Sequence, residues 1–265
     1  MRRSITYSLL ALILILSFSG YSAVNDLKSD AQTQALGFTF AADSDALFYL
    51  NPAAISNNKY KGISYTYSSI PLLDLDSRLV AAKFGHFGLV AATTKVLDVA
   101  DRGNYIDQRI NLSYGRSLWA EAKLGLNLKY YSMKLEDLTS STISLDGAML
   151  YSISNKISAG LVVSNLVSTV NNSSGSQEAV PVEIRGGISY SPSQNTKVNI
   201  DLDQNKMLYM GLEQQVAPGI KVRMGSENGE LRVGFGMAGE RICCDYVYSL
   251  NGLIDNQLLT LALKF

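Results

Sequence analysis

Ala120-Glu121-Ala122-Lys123-Leu124-Gly125-Leu126-Asn127-Leu128-Lys129-Tyr130-Tyr131 alternates without a break. One parity holds Ala120, Ala122, Leu124, Leu126, Leu128 and Tyr130; the other holds Glu121, Lys123, Gly125, Asn127, Lys129 and Tyr131. A period of two places the two sets on opposite faces of a strand. The polar face carries full charges and the apolar face keeps its character throughout, which is the pattern of a wall between lipid and a polar interior.

The same alternation recurs in pieces from Lys61 to Phe265, and it predicts strands over residues 60–68, 78–85, 87–96, 107–115, 119–133, 141–152, 156–166, 182–190, 196–203, 206–213, 218–225, 229–238, 241–249 and 256–265. That is about fourteen, an even number, as single-chain bacterial barrels have. The fold class expected is all-β, a transmembrane antiparallel β-barrel. Connections alternate in length. Those at Pro71 to Asp76, Leu97 to Gly103, Glu136 to Thr139, Ser168 to Val180 and Asn251 to Asp255 read as longer, while those near Gly85-His86, Ser117, Ser154-Asn155, Ser191 to Gln194, Gln215 to Pro218 and Gly239-Glu240 read as tight. Short connections near Gln204 and Asn228 break the trend. Long loops outside and short turns in the periplasm are the asymmetry of outer-membrane barrels, with both termini on the short-turn side.

Assigned faces stay consistent from strand to strand. Ile110, Leu112, Tyr114, Ile184, Ile188, Val198, Ile200, Val222, Val233, Leu261 and Phe265 fall outward. Arg109, Asn111, Glu183, Arg185, Lys197, Asp201, Lys221, Arg223, Glu230 and Arg232 fall inward. Placing Lys or Arg on the lipid face at mid-membrane costs about 2–4 kcal/mol, so the segregation is strongly constrained. Tyr67, Tyr114, Tyr130, Tyr151 and Tyr190 lie near strand ends, where aromatic girdles form.

The rest of the composition agrees. Arg2 and Arg3, the uncharged run Ile5 to Phe18 and the small residues Ser19 to Ala23 read as a signal peptide, residues 1–23. After it no run reaches the roughly 20 apolar residues of a membrane-spanning helix. A mean hydropathy of +0.08 is what alternation produces when each lipid-facing residue is diluted by a lumen-facing one. With 23 basic and 23 acidic residues the chain lacks the basic excess of a nucleic-acid binder, and no nucleic-acid partner is expected.

Two stretches carry a resemblance. Asp45-Ala46-Leu47-Phe48-Tyr49-Leu50-Asn51-Pro52-Ala53-Ala54 resembles the acidic-Ala then Asn-Pro-Ala signature of FadL-like outer-membrane proteins, including their PorV and PorQ branch. Asp245-Tyr246-Val247-Tyr248 followed by Leu259 to Phe265 resembles that branch's closing hairpin. The resemblance implies a plugged barrel: residues 24–59 as an N-terminal plug or hatch in the lumen and 60–265 as the barrel. The plug residues would be Asp43, Asp45, Phe48, Tyr49, Leu50, Asn51, Pro52 and Ala53. Phe265 resembles the terminal aromatic that the barrel-assembly machinery reads, so outer-membrane lipid and that machinery are the implied partners. FadL relatives pass hydrophobic molecules; PorV and PorQ serve protein secretion. The leading expectation is a non-catalytic scaffold or gate in protein secretion, with secretion components as partners. The alternative is passive transport of small hydrophobic or amphipathic solutes.

Within the segment, Asp43 to Leu50 reads as a short helix ended by Pro52, and Asn51-Pro52 as a rigid turn. Phe48, Tyr49 and Leu50 either pack on the wall or line a greasy pocket. Inward Lys197, Lys221, Arg223 and Arg232 form either an anion-favouring patch or, the preferred reading, a network that also includes Arg185 and is neutralised by Asp201, Asp203, Glu213, Glu230, Asp245 or the segment's Asp43 and Asp45. Gly234-Phe235-Gly236-Met237-Ala238-Gly239 spells a dinucleotide motif but is followed by a strand, so no cofactor is expected. Cys243, Cys244 and His86 supply too few ligands for a metal site, the adjacent thiols make no ordinary disulfide, and His86 in a tight turn has no serine beside it, so no catalytic residue is assigned.

Overall fold

The computed structural model describes residues 29–57, 61–70, 74–97, 104–136, 138–172, 180–250 and 256–265. The expected signal peptide, the ends of the expected N-terminal segment and parts of several predicted loops lie outside the described residues.

A short helix α1 (Ala31–Ala35) and a 3-10 helix (Pro52–Asn57) precede fourteen strands: β1 (Gly62–Ile70), β2 (Leu75–Phe84), β3 (Phe87–Val96), β4 (Tyr105–Ser117), β5 (Ala122–Leu135), β6 (Leu138–Ser152), β7 (Ile157–Asn172), β8 (Glu183–Ser193), β9 (Thr196–Asp203), β10 (Leu208–Ala217), β11 (Ile220–Glu227), β12 (Glu230–Ala238), β13 (Ile242–Ser249) and β14 (Asn256–Lys264). Each strand pairs antiparallel with its sequence neighbours, and β1 closes on β14 with Gly62 opposite Lys264 and Ser69 opposite Gln257. The result is a closed barrel with no free edge.

The period of two sorts the side chains as expected. In β5, Leu126 and Leu128 are each 50% exposed on the outside, whereas Asn127 between them is 0% exposed. On β8, β9 and β14 the same holds for Ile188, Ile200 and Leu261 against Ser189, Asp201 and Thr260. The outside of the barrel is an apolar band and the inside is polar, so the fold is that of an outer-membrane barrel.

Four readings of the sequence are corrected. Residues 43–50 form a series of turns instead of a helix. Pro52 begins the 3-10 helix rather than ending an α-helix, as suits a residue with fixed φ and no N–H to donate. The expected long connection at Glu136 is tight, Leu135 pairing with Leu138, and Glu136 takes the left-handed φ of 52° that such a turn needs. The residue at the start of the decisive stretch also moves: β5 begins at Ala122, because the N–H groups of Leu118 and Trp119 both turn back to the Ala122 carbonyl.

Strands β5, β6 and β7 are the longest. Between β6 and β7 the register slips at Asp146, where Leu145 opposes Val167 and Gly147 opposes Val163. The bulge is filled locally: the Asn165 N–H donates to Asp146 Oδ1 at 2.9 Å, and Lys129 Nζ lies 2.7 Å from the same oxygen.

Candidate functional site

The barrel interior is the candidate site, and residues 29–57 run through it, touching inward-facing positions around the wall. Asp30 caps α1, its Oδ1 accepting the Thr33 N–H at 2.8 Å, and burial pushes its carboxyl up to about 6. The Ala31 N–H donates to Thr260 Oγ1 at 2.9 Å, and Ala31 and Ala35 pack on Val247 and Leu258.

Next comes a clamp. The N–H groups of Phe40 and Ala41 donate to Asp201 Oδ2 at 2.7 and 2.8 Å. The carbonyls of the same two residues accept from Asn51 Nδ2 at 3.1 and 2.8 Å, and Asn51 Oδ1 accepts the Ala53 N–H at 3.0 Å. Two consecutive residues inside the barrel, Phe40 and Ala41, are thus held through both their N–H and C=O groups by buried side chains. The close approach requires Gly160, where a Cβ would overlap the Ala41 carbonyl, and Gly125, where it would overlap Pro52.

Arg185 sits beside the clamp. Its Nη1 donates to the Phe38 carbonyl at 3.0 Å, and its guanidinium lies 3.7 Å from the Tyr209 ring centroid and 4.4 Å from that of Phe40. Asp203 is its register partner, yet that carboxylate is engaged by the N–H groups of Asn205 and Met207 and by the Tyr209 hydroxyl. The rings take the place of an ion-pair partner.

Further on, Lys197 Nζ bridges Asp43 at 2.9 Å and Asp45 at 2.7 Å, and Asn199 Nδ2 donates to Asp43 at 3.0 Å. The Lys197 ammonium holds the Asp45 carboxyl below the usual carboxylate range. Phe48 and Tyr49 pack on Leu79, Ala81 and Val90, while Tyr49 and Leu50 also border a cavity. Asn127 Nδ2 donates to the Tyr49 carbonyl at 2.8 Å. Ala53 joins Phe40, Ala41, Ala54, Ala148, Leu150 and Val162 in an apolar cluster.

Several other inward charges form small networks. Glu213 receives Lys221 and Arg223, each at 2.7 Å, and Arg223 also reaches Asp245. Arg232 lies 2.7 Å from Glu227 and 3.6 Å from Glu230. Asp201 turns to backbone N–H groups instead of a cation. Glu227 and the pairs Arg109–Asp107 and Lys129–Asp146 were not singled out in the sequence, although each member stands on the inward parity of its strand. Gly234 faces Ala35, and Gly236 faces Arg223 and Asp245. His86 lies in the Gly85 turn with Nδ1 3.0 Å from the Gly115 carbonyl. Phe265 ends the chain on the outside, 69% exposed.

Among the described residues, cavities open toward both rims of the barrel. One, of about 590 Å³, opens among the ends that carry Val180 and Asn205; Phe40, Tyr49, Leu50, Leu79, Val90 and Val162 give it an apolar lining and Arg109, Lys129 and Arg185 add charge. The other, of about 680 Å³, opens among the short turns and is polar, lined by Ser44, Asp45, Lys123, Ser158, Ser189 and Lys197.

No family model matches the chain, and no curated protein matches it in sequence. Solved structures do match. The toluene transporter TbuX of Ralstonia pickettii superposes with a TM-score of 0.61 at 10% identity, over 91% of this chain and 100% of that one. The CymD monoaromatic hydrocarbon channel gives 0.60 at 12% identity, over 91% and 98%. A Pseudomonas aeruginosa FadL homologue gives 0.57 at 8% identity, over 89% and 98%. At these identities the likeness speaks for the fold: this chain is a fourteen-stranded outer-membrane β-barrel similar in fold to a FadL homologue and to channels for aromatic hydrocarbons.

Proposed function

We propose that this barrel lets small hydrophobic or amphipathic solutes cross the outer membrane passively, with the N-terminal segment as a hatch between an outer and an inner cavity. The observation that carries this reading is the cavity of about 590 Å³, lined by both apolar and charged side chains, that reaches Phe40 of the clamp. Its volume falls in the range of roughly 300–1,000 Å³ typical of small-molecule sites. The toluene transporter and monoaromatic hydrocarbon channel that share the fold support it. A scaffold or gate in protein secretion, the role implied by the PorV and PorQ resemblance, is the less supported reading, since two of the neighbours named above are a toluene transporter and a monoaromatic hydrocarbon channel. In either role the apolar band contacts lipid, and Phe265 serves as the signal for barrel assembly.

The test is uptake of toluene and of benzyl alcohol into proteoliposomes, compared with protein-free vesicles and with an Asn51→Ala barrel whose clamp is weakened. Uptake above the protein-free rate, raised further by Asn51→Ala, supports passage. Rates equal to protein-free vesicles for both proteins refute it, and co-purification of a large secreted assembly with the wild-type barrel would then favour the scaffold.

A further inference from the structure

The lipid-facing parity is free of charge over most of the barrel. Among the described residues, β6 to β14 place no charged side chain on it. The exceptions at the long-connection rim are confined to neighbouring strands: Asp76 and Arg78 on β2, Lys95 on β3 and Lys134 on β5, all at outward positions. Arg78, Lys95 and Lys134 are exposed, and among the described residues none has a carboxylate within 4.0 Å.

Strand register brings these residues together. One outward row runs Arg78, Thr93, Gln108, Ser132 across β2 to β5, and the next runs Asp76, Lys95, Ile106, Lys134. Immediately below lies the apolar row Val80, Ala91, Ile110, Tyr130. With strands about 4.8 Å apart, the patch is roughly 14 Å wide. Tyr67 stands opposite Arg78, and Tyr130 ends the apolar row, so the cations sit at the depth of the interfacial tyrosines, where headgroups lie. Asp76, the register partner of Lys95, is engaged by the Tyr67 hydroxyl at 2.8 Å, and in sequence the adjoining connections hold Asp74, Asp98, Asp101, Glu136 and Asp137.

We infer that this face of β2–β5 is a docking site for the phosphorylated headgroup of an outer-leaflet glycolipid. Outward side chains at headgroup depth meet lipid rather than soluble ligands, and three exposed cations that have no carboxylate within 4.0 Å among the described residues give this face a charge complementary to an anion. Arg78 can engage phosphate with two parallel N–H donors, and Lys95 and Lys134 act as point charges about 10 Å apart, two strands from one another. Thr93, Gln108 and Ser132 supply hydroxyl and amide groups between them for sugar hydroxyls. The inference is independent of what, if anything, passes through the lumen.

The full-length barrel, reconstituted in phosphatidylcholine nanodiscs containing either lipid A or lipid A stripped of both phosphates, is released into detergent, and bound glycolipid is read by native mass spectrometry. The wild type should retain lipid A at least fivefold over the dephosphorylated form. The triple variant Arg78→Gln/Lys95→Gln/Lys134→Gln should lose that preference, and Arg116→Gln, at the opposite rim, should keep it. Heat-modifiable migration on gels checks folding; if the triple variant does not fold, Lys95→Gln alone should reduce the preference. Equal retention of the two lipids by the wild type overturns the inference without any variant, as does full displacement by millimolar inorganic phosphate, which would mark a site for free anions.

Discussion

Replacing Asp201 by Ala removes the acceptor for the Phe40 and Ala41 N–H groups, the side of the clamp that comes from the wall. The carboxylate makes two short hydrogen bonds, 2.7 and 2.8 Å, to backbone that is buried in mid-lumen. Hydrogen bonds to a charged acceptor contribute about 1.5–3 kcal/mol each, and removing the buried carboxylate returns part of that through its desolvation. A net loss of about 2–4 kcal/mol follows, equivalent to about a 30-fold to 1,000-fold rise in the fraction of molecules with the clamp open. Hydrogen exchange at the Phe40 and Ala41 amides in the folded barrel measures this directly. Protection at both should fall by that factor while amides in β5 and β6 keep theirs. Asp201→Asn, which retains an acceptor oxygen but not the charge, should fall between. Unchanged exchange at Phe40 and Ala41 in Asp201→Ala would refute the clamp, and equal loss across β5 and β6 would show that Asp201 supports the whole barrel instead of the segment.

Other perturbations probe the remaining contacts. Gly160→Val should push the Ala41 carbonyl off the wall and raise the proteolytic sensitivity of residues 38–45 without altering heat-modifiable migration of the barrel. Leu261→Arg, on the lipid face, should destabilise insertion by about 2–4 kcal/mol in urea titrations from liposomes, whereas Thr260→Asn on the lumen face should cost much less. Two acids of the segment, buried Asp30 and exposed Asp45, respond to pH with opposite signs. Asp30, with its carboxyl raised to about 6 by burial, binds its proton more readily in place than when released, so seating tightens as pH falls from above 6 toward 4. Asp45, held low by Lys197, contributes above the ordinary carboxylate range and loses that contribution only when pH falls below it. A nitroxide at Ser44 should therefore become less mobile between pH 7 and 5; Asp30→Asn should diminish the change, and a steady loosening over that range would contradict it.

The strands and their faces were legible in the chain because the signal is local. A residue's parity decides whether it meets lipid or lumen, and a misplaced charge is expensive enough that the alternation survives in every strand from β1 to β14. Boundaries erred where turn hydrogen bonds intervened, as at Leu118–Glu121 and at Glu136. The pairing of inward cations with inward acids was legible in kind, since buried charges seek partners, but not in detail. Sequence shows Arg185 and Asp203 on facing strands; only the folded chain shows that Asp203 is engaged by the turn that follows it, so Arg185 stacks on Phe40 and Tyr209.

The course of residues 29–57 belonged to tertiary structure. Local preference favoured a helix over residues 43–50, yet Asp43 and Asp45 are drawn to Lys197, and Phe48 and Tyr49 to Leu79 and Val90, contacts with strands that local pattern cannot weigh. Asn51 grips a peptide ten residues earlier while Asp201 grips the same peptide from 160 residues later. Sequence by itself determined the wall, because two solvents read each strand residue by residue. The closure of β1 on β14 and the clamp inside were decided only when the barrel brought distant backbone groups within hydrogen-bond reach and left them no water to bind instead.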